Sequence, residues 1–209
     1  MGLVLHGAPS SRTRRCIWTL EEVGAEYEFR AIDLAAREHH SAEYLMLNPN
    51  GRVPTLVDTD SDLVLFESAA ICQYIARKFP ESRLLPANGS RAQALHDQWM
   101  FWVTTELEQA LWSMGKHKFA LPPEQRIASM LDTAMFEWNR AAPVLARALE
   151  ESDGPYLLGA ERHLVDILVA HTLLWATRFK VPLGHKVLEE YLELMTSRAS
   201  YTRAKRFDT

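Results

Sequence analysis

Two hydrophobic periods divide this chain. As far as Phe79, short apolar runs alternate with helical stripes; beyond it only the helical period continues. Residues 3–6 make an apolar run of strand length. Ser10 and Ser11 precede a helical stripe that reaches about Val23 and stops at Gly24, a residue type that favours a helix C-terminus. Residues 27–32 alternate in the strand manner, with Tyr27, Phe29 and Ala31 on one face. A short helix is expected over 41–47, ending before Asn48-Pro49. Apolar runs at 55–57 and 63–66 predict a hairpin turning around 58–62. Glu67 and Ser68 then open a helix in which Ile71, Ile75 and Phe79 recur every four residues. The element order is βαβ, then αββα.

Pro80, Pro86, Asn88 and Gly89 punctuate a linker over 81–90, which separates a mixed domain over 1–80 from a helical one over 91–209. Leu95, Trp99 and Trp102 begin a long helix that runs to about Lys116, and Pro122-Pro123 breaks it. Residues 124–151 are helical again, with Ile127, Leu131, Ala134 and Trp138 on one stripe. Pro143 sits inside that pattern and is expected to kink the helix or split it. Helices over 164–178 and 185–198 follow.

Composition narrows the class. The 209 residues suffice for one large or two small domains, and 47% hydrophobic with 24% charged residues is the balance of a globular protein. A net charge of −4 argues against nucleic acid or an anionic membrane as main partner. Six tryptophans offer aromatic ligand surface beside their ordinary use as core. Cys16 and Cys72 make neither a disulfide framework nor a C-x-x-C motif. The N-terminus shows no signal-peptide pattern, and no apolar run approaches the ~20 residues needed to span a membrane. The cytoplasm, with both thiols reduced, is the expected location.

Candidate chemistry concentrates in 48–79. The Val53-Pro54 bond can be cis, which in a tight turn presents the backbone N–H and C=O of Val53 edge-on to an extended peptide. Ser68 at a helix start can cap the helix or bind a carboxylate, because first-turn N–H groups are unpaired there. Together they suit a small peptide that carries its own carboxylate. In order and spacing, Val53-Pro54 and Glu67-Ser68 resemble the glutathione-binding half of the cytosolic glutathione S-transferase family, in its bacterial, serine-type, theta/nu/zeta-like members. The resemblance covers essentially the whole chain, though its specific motifs lie before Phe79. It implies a thioredoxin-like N-terminal domain of mixed α/β type, followed by an all-helical C-terminal domain. It also implies that Val53 and Pro54 hold the cysteinyl backbone of glutathione and that Glu67 and Ser68 hold its γ-glutamyl end. Arg52 is placed for the glycyl carboxylate, where theta-like members keep a lysine. His39 matches a glycyl-end histidine by its spacing to Val53, with His40 beside it.

A thiol becomes a good nucleophile only as thiolate. Lowering its pKa from about 8.5 to about 6.5 requires roughly 2.7 kcal/mol of preferential stabilisation. One hydrogen bond to a charged acceptor contributes ~1.5–3 kcal/mol, and a helix N-terminus ~0.3–1 kcal/mol. A serine hydroxyl donating to the sulfur at the junction after the first strand therefore supplies most of it. Ser10 falls where many serine-type members keep theirs, and it is the first choice. Against members with an Asn-Ser-Arg pattern, Ser11 matches the serine instead. No tyrosine lies in the first strand or its loop, which speaks against the tyrosine-type classes, and Cys16 sits too far into the helix for a cysteine-type mechanism. His39 and His40 lack a third ligand for a metal, and none is expected.

The second domain carries one imperfect family mark. Tyr156 to Gly159, followed by His163 to Asp166, resembles the family's Ser/Thr-x-x-Asp capping turn, with His163 in the hydroxyl position. On the long helix, Trp99, Trp102 and Glu106 share a face by their spacing, and the resemblance makes that face the acceptor site for a small hydrophobic electrophile. It further implies a homodimer, glutathione as co-substrate, and a detoxifying transferase. Other readings of the same site are a glutathione-dependent isomerase, dehalogenase or peroxidase, or a member that binds glutathione or a protein partner without turnover.

Overall fold

Strand β1 (Leu3–Gly7) is buried along its whole length, as an unbroken apolar run in a central strand requires. The computed structural model describes residues 2–207. The β1 strand runs parallel to β2 (Glu28–Ala31) and antiparallel to β3 (Thr55–Asp58), which pairs antiparallel with β4 (Leu63–Phe66), giving the order β2-β1-β3-β4. Helix α1 (Thr13–Val23) makes the crossover between β1 and β2 and ends at Gly24 in the left-handed region (φ 69°). Helix α2 (Ala42–Leu47) is capped by the Ser41 hydroxyl, which accepts from the Tyr44 N–H. The hairpin leads into α3 (Ser68–Lys78). Helices α1 and α3 pack on each other, burying Cys16, Ile17 and Leu20 of one with Ile71, Cys72 and Ile75 of the other. This is a thioredoxin-like domain, as expected.

The molecule divides into two units. One takes the chain up to Leu85 and again from Ser197; the other is Pro86–Thr196. The helical unit begins with α4 (Arg91–Trp102), whose Ser90 cap accepts from Gln93. The same helical run continues through a π segment (Val103–Leu107), α5 (Glu108–Gly115) and a second π segment (Lys116–Ala120). Helix α6 (Met130–Glu150) carries Pro143 without being split in two. It starts later than the periodicity suggested, so Ile127 falls before it and is 53% exposed, while Ala134 and Trp138 are buried as expected. Helix α7 (Leu164–Arg178) is the centre of this unit: Leu164, Val165, Ile167, Leu168, Val169, Ala170 and Leu173 are all buried, so no polar stripe is left on that stretch. Helix α8 (Lys186–Thr196) lies against it.

At the start of α7 the capping turn is half built. Asp166 accepts from the His163 N–H (2.7 Å), but the His163 ring contributes no capping bond and its Nδ1 has no partner among the described residues. Asp166 finds other donors: the Leu157 N–H at 3.0 Å and the Tyr191 hydroxyl at 2.6 Å. Burial raises the pKa of Asp166, and those hydrogen bonds oppose the rise. The role is structural.

The chain's end departs from the expected boundary, because residues from Ser197 pack with the N-terminal unit rather than extending a 91–209 helical domain. Helix α9 (Ala199–Ala204) lies along α1, where Trp18 stacks on Tyr201 at 4.7 Å and donates to Ser200. Two acidic residues of α1 are clamped there. Arg203 and Arg206 reach Glu21 at 3.0 and 2.9 Å, and Arg198 reaches Glu22 at 2.7 Å. Periodicity reports only that this segment is helical, and these partners are remote in sequence.

Candidate functional site

The register brings three segments to one end of the sheet. His6 at the end of β1 pairs with Thr55 at the start of β3, and Thr55 pairs with Phe66 at the end of β4. Adjacent strands lie about 4.8 Å apart. The loop after β1, the Val53-Pro54 turn before β3, and Glu67-Ser68 after β4 are therefore neighbours, though they are remote in sequence.

In the first segment, β1 ends on Gly7, where a Cβ would fall 2.2 Å from Thr13 Oγ1; only glycine allows that approach. The Ala8 N–H donates to Thr13 Oγ1 (3.2 Å), and the Ser11 hydroxyl donates to the Ala8 carbonyl (2.7 Å). Ser11 Oγ also lies 2.9 Å from Thr13 Oγ1 and accepts from the Thr13 N–H. Arg14 ties the same loop down, with Nε on the Pro9 carbonyl and Nη1 on the Ala204 carbonyl. Ser11 is thus built into the loop's own hydrogen bonding, while Ser10 is exposed at its crest. Neither is the helix cap proper, since α1 starts at Thr13 with Arg12 in the cap position.

In the second segment, the Val53-Pro54 bond is cis. Two buried side chains hold the turn from behind. The Tyr44 hydroxyl donates to the Arg52 carbonyl at 2.7 Å, and Asn48 Nδ2 donates to the same carbonyl at 2.7 Å. Both also reach Thr55 Oγ1, at 2.9 and 3.3 Å. The residues on either side of Val53-Pro54 are therefore fixed, while the N–H and C=O of Val53 take no hydrogen-bond partner among the described residues. The short turn holding His39 and His40 (Glu38–His40) packs onto Gly51: a Cβ there would lie 2.7 Å from His40 Nδ1, and Gly51 has φ 56°. His39 Nδ1 has no hydrogen-bond partner among the described residues, and burial, then His40 and Arg37, push its pKa down. Arg52, the residue after Gly51, is exposed.

In the third segment, Ser68 is the first helical residue rather than its cap, so of the two uses open to it capping does not apply. Glu67 holds the cap position with φ 68° and ψ 107°, and no side chain caps the helix. Those torsions lie outside the allowed regions for a residue with a Cβ. The first helical bond runs from Ile71 N–H to the Glu67 carbonyl at 2.9 Å, so the N–H groups of Ser68, Ala69 and Ala70 stand outside the ladder. Glu67 is exposed and Ser68 buried. The arrangement offers a carboxylate, a hydroxyl and free helix-terminal N–H groups within two residues, a receptor for a group that carries both an ammonium and a carboxylate.

A family model for the glutathione S-transferase N-terminal domain matches residues 1–77. The glutathione S-transferase GstB of Escherichia coli (strain K12) is 33% identical over 165 residues, spanning 77% of this chain and 76% of that one. The chain belongs to the glutathione S-transferase family. Two solved structures agree along nearly the full length. The ternary complex of BphK, a bacterial glutathione transferase, has a TM-score of 0.85 at 27% identity and covers 97% of this chain and 98% of that one. Glutathione transferase URE2P8 from Phanerochaete chrysosporium, with oxidized glutathione, has a TM-score of 0.82 at 26% identity and covers 97% and 92%.

Within this transferase fold, Ser10, Ser11, His39, Arg52, Val53, Pro54, Glu67 and Ser68 all belong to the first unit. Trp99, Trp102 and Glu106 belong to the second. Trp99 and Trp102 are half-buried and Glu106 is exposed, to one side of the buried His96, Met100, Val103 and Leu107. Trp99 and Trp102 meet edge to face at 5.0 Å, as three-residue spacing requires. Glu106 lies in the π segment, whose wider turn interrupts that spacing, so the three do not form one regular stripe. Among the described residues no group of three or more His, Cys, Asp or Glu could hold a metal, and no helix is long and apolar enough to cross a membrane. Sequence reasoning passed over Thr13, Tyr44 and Asn48. The signal for Asn48 was present in Asn-Pro-Asn-Gly, where an asparagine side chain commonly bonds its own backbone turn, as it does here to the Asn50 N–H at 3.1 Å.

Proposed function

We propose that this protein is a glutathione transferase that binds glutathione across the three segments and presents its sulfur, as thiolate, to a hydrophobic electrophile. The observation that carries the reading is the register His6–Thr55–Phe66, which sets a hydroxyl-bearing loop, an unpaired strand-like backbone and a helix N-terminus side by side. Glutathione has matching chemistry in the same order. The ammonium of its γ-glutamyl group pairs with Glu67, and the adjacent carboxylate with Ser68 and the first turn of α3. Its cysteinyl N–H and C=O pair with Val53, and its glycyl carboxylate lies by Arg52 and His39. The lowered pKa of His39 makes the imidazole neutral at pH 7, so it contributes a hydrogen bond and Arg52 the charge. The bound oxidized glutathione of the P. chrysosporium relative supports the choice of peptide.

Ser10 is assigned as the donor to the sulfur. Ser10 is exposed at the crest of the loop, whereas the Ser11 hydroxyl donates to the Ala8 carbonyl within it, and this exposure supports the choice. On the second unit, the half-buried aromatic pair Trp99 and Trp102 is assigned to the electrophile, and the working form is a homodimer.

The test is a pair of substitutions assayed for conjugation of an electrophile panel at about pH 6.5, near the thiol pKa required above. Ser10→Ala is expected to lower kcat at least tenfold, about 1.4 kcal/mol, and to raise the pKa of bound glutathione measured by ultraviolet difference. Ser11→Ala is expected to leave both nearly unchanged. The reverse pattern would transfer the role to Ser11. Absence of glutathione binding by calorimetry at about 10 mM, roughly ten times the upper end of common KM values, would overturn the reading altogether.

A further inference from the structure

The two cysteines, which the proposed chemistry does not use, are adjacent. Cys16 on α1 and Cys72 on α3 are both fully buried, with their sulfurs 3.7 Å apart and Cys72 donating to Cys16. Cys16 in turn donates to the Ser68 carbonyl at 3.5 Å. The two thiols thus form a short relay that ends on the backbone of Ser68, directly behind the strained Glu67. The guanidinium of the buried Arg15 acts on both sulfurs and favours thiolate, against the burial that pushes the Cys16 thiol up.

We propose that Cys16 and Cys72 are a peroxide-sensitive dithiol whose oxidation to a disulfide reshapes the Glu67-Ser68 corner and weakens glutathione binding. The coupling to ligand rests on the glutathione site proposed above. Both sulfurs are fully buried, so oxidation requires a local opening of α1 and α3, which admits hydrogen peroxide more readily than a bulky disulfide. One sulfur, as thiolate, attacks a peroxide oxygen. The O–O bond breaks, and the hydroxide released takes up the thiol's proton as water, leaving a sulfenic acid. The second sulfur attacks the first, an S–S bond forms, the S–O bond breaks, and a second water leaves. Two thiols and one peroxide become one disulfide and two waters, each sulfur giving up one electron. Closing the sulfurs from 3.7 Å to a bond of about 2.05 Å moves both cysteine side chains and removes the hydrogen that Cys16 gives the Ser68 carbonyl.

The experiment treats the full-length protein with hydrogen peroxide. The crosslink is scored by mass spectrometry of unreduced peptides, and glutathione affinity by calorimetry before oxidation, after it, and after dithiothreitol. The expected result is a Cys16–Cys72 crosslink, a fall in affinity of at least tenfold, and recovery on reduction. Cys72→Ser, which retains a donor but cannot crosslink, should hold its affinity under the same peroxide; Cys16→Ser provides a second uncrosslinkable variant should the first fail to fold. Sulfinic acid at either cysteine without a crosslink overturns the dithiol. A crosslink with unchanged affinity overturns its coupling to the site. Failure of the reduced protein to bind glutathione overturns the site reading and the coupling with it, while the crosslink is still decided by mass.

Discussion

At one end of the same sheet two strands hand over to helices, and they do so by opposite means. Between β1 and α1 the chain spends several residues and closes the turn with redundant bonds: Ala8, Ser11 and Thr13 exchange hydrogen bonds, and Arg14 adds two more. Between β4 and α3 it spends one residue, Glu67, whose backbone is forced to φ 68° with no capping side chain. The first junction holds an exposed hydroxyl, Ser10, on a relaxed support. The second holds the carboxylate of Glu67 and the open helix end by a single costly torsion. Redundancy makes the first tolerant of substitution; the second concentrates both cost and function in one residue.

The sharpest way to break this contrast is at Glu67. A residue with a Cβ in such a region costs on the order of 1–3 kcal/mol, and glycine avoids most of that. Glu67→Gly should therefore melt above Glu67→Ala by roughly 2–4 °C, the effect of about 1 kcal/mol in a chain of this size. Both variants should bind glutathione roughly tenfold to a hundredfold more weakly, because a charge-assisted hydrogen bond is worth ~1.5–3 kcal/mol. Equal melting temperatures for the two would show that the torsion carries no cost.

Charge separates the two junctions next. The first is closed mainly by neutral groups. The helix of the second is tied to β3 through Asp58, which accepts from Lys78 at 2.6 Å, from Tyr74 at 2.5 Å and from the Asp60 N–H at 3.0 Å. Burial pushes the Asp58 pKa up, but these donors outweigh it and hold the carboxyl at about 2. The folded pKa lies below the unfolded one. The contribution is therefore full above about pH 4 and is lost as pH falls through about 2, amounting to about 2 kcal/mol. Unfolding free energies measured across that window should show the loss in the parent and a flatter curve in Asp58→Asn. Parallel curves would place the acid sensitivity elsewhere.

The first junction responds least. Ser11→Ala removes a bond to Ala8 but leaves the Ala8–Thr13 bond in place, so unfolding by urea should show a loss of about 1 kcal/mol. A loss several times larger would mean the bonds act as one unit rather than as alternatives.

Local signals were legible from the chain alone. The alternating runs placed all four strands, the Ser41–Leu47 helix and the hairpin, and Gly24 marked the end of α1. The candidate segments could be named because each is punctuated by residues with strong backbone preferences. What was not legible depends on pairs remote in sequence. Ser197 onward was assigned to the helical domain because periodicity cannot tell that Glu21 and Glu22 will meet Arg203 and Arg198. Residue preference leaves Ser68 two uses, as helix cap or as carboxylate ligand, whereas tertiary constraint puts Glu67 in the cap position at positive φ. Ile127 was counted into a stripe that the helix, starting at Met130, never includes. A π turn leaves no mark in a hydrophobic pattern, so the shift it introduces between Trp102 and Glu106 is not legible in their spacing.

The Val53 turn extends the principle of redundancy, and it gives the smallest single effect. The Arg52 carbonyl accepts from both Tyr44 and Asn48 at 2.7 Å. After Tyr44→Phe that carbonyl keeps the Asn48 donor, and the Thr55 hydroxyl keeps a contact with Asn48 at 3.3 Å, so no group is left wholly unpaired. The expected rise in KM for glutathione is roughly twofold to threefold, about 0.5 kcal/mol, with kcat and the thiol pKa unchanged, since the backbone of Val53 is displaced but Ser10 is not. Asn48→Ala should behave similarly through the Tyr44 donor. Removing both leaves the part-buried Arg52 carbonyl without its side-chain donors, a penalty of about 1 kcal/mol, the lower end for an unsatisfied group, that neither single variant incurs. The double variant should therefore exceed the sum of the singles in a mutant cycle, by more than the ~0.5 kcal/mol expected of independent sites. Strict additivity would mean that each donor acts alone and that Glu67 is not unusual in lacking a substitute.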